Sequence, residues 1–402
     1  MRKSAMCVAV GLAAAAIGLT GCGGDPDASS AAAPEQFPQV DNATLDVGNY
    51  PTQPRQLGKP NPDRARLTEG QRLGSYVPTP VEIDERFRVQ SGPDSAQIYG
   101  FVESIYTVGV DSEVFTRAAP GFVAGFYSWG MSHTDILIAE TLQNTVLIFT
   151  DDAAATQAAE ALARARAERV DGSVTVDIPG RPGAHALWNP AKQELLSFAA
   201  SKNLVTYTVV KDNAKIEVGT TDLPAMVTLV EKSLSAIESR TRDFVSTPVD
   251  KLVDVDMDHD AVLSHTLFRQ DRENAKNPPG IYDRRAAAHL STDPARDRPL
   301  FEQAGLEWLG FNAVALYQTK DAQGARLIRD AHTALNRKIR SAEAPKNLPT
   351  TRCVETKVKD SFKARYLCVL AYDRYVIEAS SNQLTDAQQR IAAQYILLTA
   401  KR

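Results

Sequence analysis

The spacing of apolar residues changes several times along the chain, and each change predicts an element. From Val8 to Leu19 apolar and small residues run almost unbroken, behind Arg2 and Lys3 and ahead of Leu19-Thr20-Gly21-Cys22. About 12 residues is too short for a membrane-spanning helix, which takes about 20. Residues 36–95 lose this regularity. Pro, Asn, Asp and Gly interrupt short apolar pieces such as residues 45–52 (LDVGNYPT), too often for a long helix or a central strand. They predict an ordered, irregular arm packed on the body, with one helix around residues 64–73. From Ile98 onward the pattern is periodic. Residues 146–150 read as a buried strand. Asp151-Asp152 then open a helix over 153–169, with acid at its positive end. Strands are expected at 173–178, 184–188, 194–199 and 204–210. A further helix starts at Thr221-Asp222-Leu223-Pro224, with Pro in its first turn. Its Leu223, Met226, Val227, Val230, Leu234 and Ile237 recur at helical spacing.

After a charged stretch at 240–262 the same order returns. Residues 313–318 predict a strand and 321–339 a helix, with Ala325, Ile328, Leu335 and Ile339 on one side. A hairpin around Cys353 and Cys368 follows, then a strand at 375–379. A last helix at 385–399 carries the stripe Ala387, Ile391, Tyr395 and Leu398. Residue pieces repeat as well. Ile98-Tyr99-Gly100 matches Ile281-Tyr282-Asp283, and residues 115–126 (FTRAAPGFVAGF) match 301–311 (FEQAGLEWLGF) with one gap. The expected fold class is α+β: two related domains, each an antiparallel sheet packed with helices, after the irregular N-terminal arm. The alternative is one large α+β domain with accidental similarity. The expected segments are a lipoprotein signal peptide over 1–21, a flexible tether over 22–36, an N-terminal domain with its arm over 37–245 and a C-terminal domain over 246–402.

A charged start, a short apolar core and small residues at a cleavage point define a secretory signal. The Leu-x-Gly-Cys ending makes it a lipoprotein signal, with cleavage before Cys22 and acyl chains on its thiol; an ordinary signal cut near Ala16 is the alternative. Two or three chains would anchor stably. Residues 23–34, rich in Gly, Ala, Ser and Pro, hold too little apolar surface to fold and read as a tether. The body is therefore expected outside the cytoplasmic membrane.

Net charge is −4, and loss of residues 1–21 takes Arg2 and Lys3 to leave −6. That mild acidity argues against nucleic-acid binding or a polybasic membrane surface. Of the four cysteines, Cys7 leaves with the signal and Cys22 is consumed by lipid, so Cys353 and Cys368 remain. If Asp360-Ser361 forms the turn of their hairpin they lie opposite each other, and an exported compartment lets them pair. Free buried thiols or half of a metal site are the other readings.

Candidate chemistry is sparse. Asp254-x-Asp256-x-Asp258 opens like a calcium loop, but His259 and His265 stand where Gly and Glu are required. A weak cation site and a solvated acidic linker, extended by Asp260, both fit. Ser128-Trp129-Gly130 near His133 lacks the first Gly of a nucleophile elbow, since Phe126 occupies it. There is no Walker loop, no G-x-G-x-x-G and no paired-His spacing among His133, His185, His259, His265, His289 and His332. Residues 180–188 (GRPGAHALW) place a Gly/Pro turn before a strand carrying His185 and Trp188. That is a hairpin with a core Trp, or a ligand-facing aromatic at a domain cleft. Trp129 joins them as a candidate ligand contact, and Trp308 completes the tryptophans. No catalytic residue, no metal ligand and no cofactor is identified.

The lipid-attachment motif at Cys22, residues 45–52 with Pro54-Arg55, residues 180–188, Ile281-Tyr282-Asp283 and residues 301–311 together resemble the two-domain lipoproteins of unknown function from mycobacteria and related actinobacteria. The resemblance spans nearly the whole chain. It implies an actinobacterial cell envelope, an N-terminal and a C-terminal family domain, and no known catalytic residues. The expected function is a non-catalytic envelope lipoprotein, held to the membrane through acylated Cys22, that binds an envelope lipid, glycan or partner protein. A hydrolase or transferase with a dispersed active site is the competing expectation, and it requires Ser128 or another hydroxyl within reach of a His. A structural assembly role is the third.

Overall fold

The computed structural model describes residues 40–100, 108–269, 279–357 and 364–400. In chain order the first half contains α1 (Pro62–Gly74), α2 (Pro80–Ile83), β1 (Ala96–Tyr99), α3 (Ser112–Ala118), β2 (Phe122–Met131), β3 (Glu140–Phe149), α4 (Asp152–Ala167), β4 (Val174–Val176), β5 (Ala184–Asn189), β6 (Glu194–Ser201), β7 (Leu204–Asp212), α5 (Asn213–Val218) and α6 (Leu223–Thr241). The second contains β8 (Gly280–Asp283), α7 (Arg284–Ala287), α8 (Pro294–Gln303), β9 (Leu306–Phe311), β10 (Ala315–Thr319), α9 (Ala322–His332), β11 (Ile339–Ala342), β12 (Thr351–Thr356), β13 (Tyr366–Tyr372), β14 (Tyr375–Ser381) and α10 (Leu384–Thr399).

Each half builds an antiparallel seven-stranded sheet, and the strand orders are the same. The first is β1-β2-β3-β7-β6-β5-β4 and the second, read from its own first strand, is β8-β9-β10-β14-β13-β12-β11. Helices fall in matching intervals: α3 and α8 before the second strand, α4 and α9 after the third, α6 and α10 after the last. The duplication expected from residue order is thus a duplication of topology. Strand alternation sends Leu147, Phe198, Val205 and Tyr207 toward α4. It sends Trp188, Leu195 and Val210 toward α6. In the second sheet Leu316, Leu370 and Ile377 pack under α10.

The halves share a core. Leu73 of α1, Phe126 and Val146 pack in one cluster with Tyr282, Phe301, Tyr317 and Val369. The irregular arm helps to join them. Its start packs on the last helix, where Leu45 is buried and the Tyr50 hydroxyl donates to Asp386 at 2.5 Å. Asn61 then caps α1, which has Pro at its first position. A buried polar staple crosses the same seam. Ser128 Oγ lies 2.9 Å from His289 Nδ1, and His289 Nε2–H donates to the Val77 carbonyl at 2.9 Å.

Two local expectations need correction. The helix expected over 321–339 is α9 and ends at His332. Leu335, assigned to its apolar stripe, is 62% exposed. The Asn336 side chain accepts from the backbone N–H groups of Lys338 and Ile339, a local turn that competes with helix. Ile339 starts the edge strand β11 instead. The acidic stretch at 240–262 is not simply solvated, since Leu252, Met257 and Val262 are buried. Asp258 accepts from Leu263 N–H and Ser264 N–H at 2.6 and 3.0 Å. Cys353 and Cys368 stand directly opposite each other on β12 and β13 and are disulfide-bonded. Their expected turn at Asp360-Ser361 lies outside the described residues, as do Cys22, the signal and the tether.

Candidate functional site

The position that distinguishes the two halves is the face of each sheet beneath its third-strand helix. In the first half it is closed and largely apolar, with an ion pair between Arg166 and Glu194 at 3.6 Å beside Tyr207. Leu147, Leu162, Leu187, Leu196, Phe198 and Tyr207 pack there under α4. Strand register and helix caps identify the counterparts. Between β3 and β7, Thr145 faces Tyr207 and Leu147 faces Val205. Between β10 and β14, Ala315 faces Glu378 and Tyr317 faces Val376. Helices α4 and α9 are both capped by an aspartate, Asp151 and Asp321. Counting from the caps puts His332 on Leu162. Glu378 therefore stands for Tyr207, Tyr317 for Leu147 and His332 for Leu162. In addition, α4 runs 16 residues and α9 only 11. The strand positions that α4 covers with its last turns are left open in the second half.

The opening is a cavity of about 260 Å³ whose lining includes the apolar Val354, Leu367, Phe311 and Leu309 and the polar Ser291, Arg296, Asp297, Tyr317, His332 and Glu378. These polar groups form one network. His332 Nδ1 lies 2.6 Å from Glu378 Oε2, and Nε2 lies 3.3 Å from Asp297 Oδ1. Arg296 donates from Nε and Nη2 to the two Asp297 oxygens at 2.5 and 2.9 Å, and Ser291 donates to Asp297 at 2.5 Å.

Burial alone would lower the His332 pKa, but the Glu378 and Asp297 carboxylates overrule it and hold the ring up to about 9. Burial opposes the ionised form of Asp297, yet His332 and Arg296 keep its carboxyl well below the usual range. Burial, with Glu378 and Asp297 nearby, pushes the Tyr317 phenol far above its ordinary value. At neutral pH the floor therefore holds an imidazolium and a guanidinium against two carboxylates. Both imidazolium N–H groups are used, so the ring has no lone pair for a metal or a substrate proton. Among the described residues no group of three His, Cys, Asp or Glu is placed to hold a metal ion.

Asn312 completes the lining at 2% exposure. Its Oδ1 accepts from Arg269 N–H at 3.4 Å, while its buried Nδ2 has no hydrogen-bond partner among the described residues. An orphaned buried donor costs about 1–3 kcal/mol.

The sequence-derived candidates do not assemble into a site. Trp188 is 6% exposed and belongs to the core beneath α6. His185 pairs with Phe198 across β5 and β6 and faces the other side, toward α4. Trp129 lies on that second face too, but on β2. Strands β3, β7 and β6 intervene between it and β5, about 19 Å at the usual strand spacing of ~4.8 Å. Gly180 to Ala184 do line a smaller cavity of about 210 Å³ against α6. Trp308 stacks on His259 with ring centroids 4.2 Å apart. The pair lies in an open groove of about 650 Å³ between α1 and the β8–β9 edge.

The Ser128–His289 contact places a hydroxyl beside a His, as the hydrolase expectation requires. Both residues are wholly buried, and burial pushes the His289 ring down to about 4. The pair is an internal staple rather than a reachable nucleophile. The His332 network went unnoticed in the sequence because its members come from α8, α9 and β14. One signal was present: aligning Asp151 with Asp321 sets His332 where the first half has Leu162.

Comparison with known proteins adds membership but no activity. A family model described as "Domain of unknown function (DUF7373) N-terminal" matches residues 57–257, and its C-terminal counterpart matches residues 262–401. No curated protein matches the chain. Among solved structures, the extracellular domain of PknH from Mycobacterium tuberculosis aligns with a TM-score of 0.29 and 11% identity. That alignment covers 48% of this chain and 100% of the other, a likeness too slight to bear on fold or function.

Proposed function

The chain belongs to the DUF7373 family of paired domains of unknown function, and we propose that this member is an exported, lipid-anchored protein that binds a small ligand in the cavity of its C-terminal half. The observation that carries this reading is the contrast between equivalent positions. Where the first half seals Leu162, Tyr207 and Leu147 under α4 beside the Arg166–Glu194 ion pair, the second sets a network of His332, Glu378, Asp297 and Arg296 and a shortened helix around an opening. A concave site with apolar lining and a few convergent polar groups is the usual form of a ligand pocket.

Binding without catalysis fits the chemistry of the floor. His332 is held protonated by two carboxylates and cannot act as a general base near neutral pH. His289 has its Nδ1 engaged by Ser128 and donates Nε2–H to a backbone carbonyl. The Cys22 motif and the sequence resemblance support an actinobacterial envelope lipoprotein, and the Cys353–Cys368 bond suits an oxidising compartment.

Native mass spectrometry with extraction tests the reading, on full-length protein from an actinobacterial host beside its Cys22→Ala variant. Acyl mass on Cys22 and a second bound species, retained in the unlipidated variant, is the expected result. A body that carries no bound species in either form overturns the binding reading, and absence of acyl mass overturns the anchor.

A further inference from the structure

Resting on that reading, we infer that the polar end of the ligand is a neutral polyol. The inference follows from which groups at the cavity remain uncommitted once the internal bonds are drawn. Asn312 Nδ2 is a buried donor with no partner among the described residues. Arg296 gives Nε and Nη2 to Asp297, leaving Nη1 as a second donor. Glu378 uses Oε2 on His332, leaving Oε1 as an acceptor. The Tyr317 hydroxyl on the same lining serves as either.

The ligand must therefore both accept and donate. A carboxylate or phosphate offers acceptors only and would meet Glu378 and Asp297. An amine offers donors only and would meet the His332 imidazolium and Arg296. The charges of the lining are already matched, His332 and Arg296 by Glu378 and Asp297 and Arg390 by Asp386 at 2.7 Å, so a charged ligand would be buried without a counter-charge. Hydroxyl groups supply donor and acceptor together at no net charge. On the same sheet face as Glu378, Val354 and Leu367 add apolar lining, which suits an alkyl substituent on the polyol. A free glycan and a lipid headgroup share this chemistry.

Isothermal titration of the full-length Cys22→Ala protein separates these possibilities. The probes are methyl β-glucoside, octyl β-glucoside below its micelle concentration, and the octyl glycosides of glucuronic acid and glucosamine. Neutral glucosides are expected to bind at least tenfold more tightly than both charged analogues, and Asn312→Leu to weaken them at least tenfold. Octyl glucoside binding at least tenfold tighter than the methyl form assigns the polyol to a lipid headgroup; equal affinities assign it to a free glycan. Charged analogues that bind as tightly as neutral ones overturn the polyol inference. So does a co-purifying species that no glucoside displaces, and in that case ligand binding itself stands. If nothing co-purifies and no probe binds, the binding reading falls with it. Should Asn312→Leu fail to fold, the neutral-against-charged comparison on the otherwise unaltered protein still decides.

Discussion

Two buried histidines bound the stability of this protein from opposite sides of pH. His332 has a folded pKa of about 9 against an ordinary value of 6.5. Its contribution is full below pH 6.5 and is lost as pH rises through 9, because the folded state holds a proton that the unfolded chain releases. His289 is the reverse case, with a folded value of about 4. Between pH 6.5 and 4 the unfolded chain takes up a proton that the buried ring refuses, so stability falls as pH falls. Each shift is worth about 3 kcal/mol. Denaturant unfolding across pH is expected to give a maximum near pH 6.5, with His332→Leu flattening the alkaline limb and His289→Phe the acid limb. A profile unchanged by either variant would show that neither ring is held as described. Imidazole NMR offers an independent reading: the His332 ring should remain protonated at pH 7.5.

Among the elements, α1 depends on glycine for its closeness to the first sheet. A Cβ at Gly70 would lie 2.8 Å from the Gly125 carbonyl oxygen and 2.7 Å from Ile98 Cγ2, and one at Gly74 would meet the Phe126 ring at 2.6 Å. Backbone cannot step aside as a flexible side chain can. Gly70→Ala is expected to cost about 1–3 kcal/mol, whereas Gly183→Ala, whose Cβ meets nothing within 4 Å, should stay within about 0.5 kcal/mol. Equal effects in thermal unfolding would contradict the tight seat of α1. In the second sheet, the bond between Cys353 and Cys368 closes an interval of 15 residues. Replacing both by Ala is expected to cost about 3 kcal/mol, and a reducing agent should lower the Tm of the parent protein but not of the variant.

The same elements show what the sequence could and could not convey. Helices with a clean apolar stripe and an aspartate cap, such as α6 with Asp222, are legible because both signals are local. Helix α9 was overextended because Leu335 and Ile339 keep helical spacing after the chain has turned at Asn336. Sequence order carried the duplication, since β1 and β8 share Ile-Tyr, and Phe115 and Phe301 are both buried. The candidate site was not legible, because His332 reaches Asp297 across 35 residues and Glu378 across 46. Each member looks unexceptional alone: one His on a helix stripe, one Glu in a strand, one Asp in a first turn.

Over the whole molecule, one fold is used twice, and beneath the third-strand helix the first copy is closed and the second opened. The copies share a core through α1, Tyr282 and Phe301, and the cavity residues Leu309, Phe311 and Tyr317 belong to it, so a change in the cavity has to be read together with the packing of both. The decisive measurement converts the second copy to the first, with the double variant His332→Leu, Glu378→Tyr in the full-length protein. Native mass spectrometry of variant and parent, with near-UV circular dichroism to confirm packing, reads the result. Loss of the bound species from a folded variant is the outcome predicted. A variant that folds and keeps the same bound species would show that the cavity beneath α9 is not where the ligand sits.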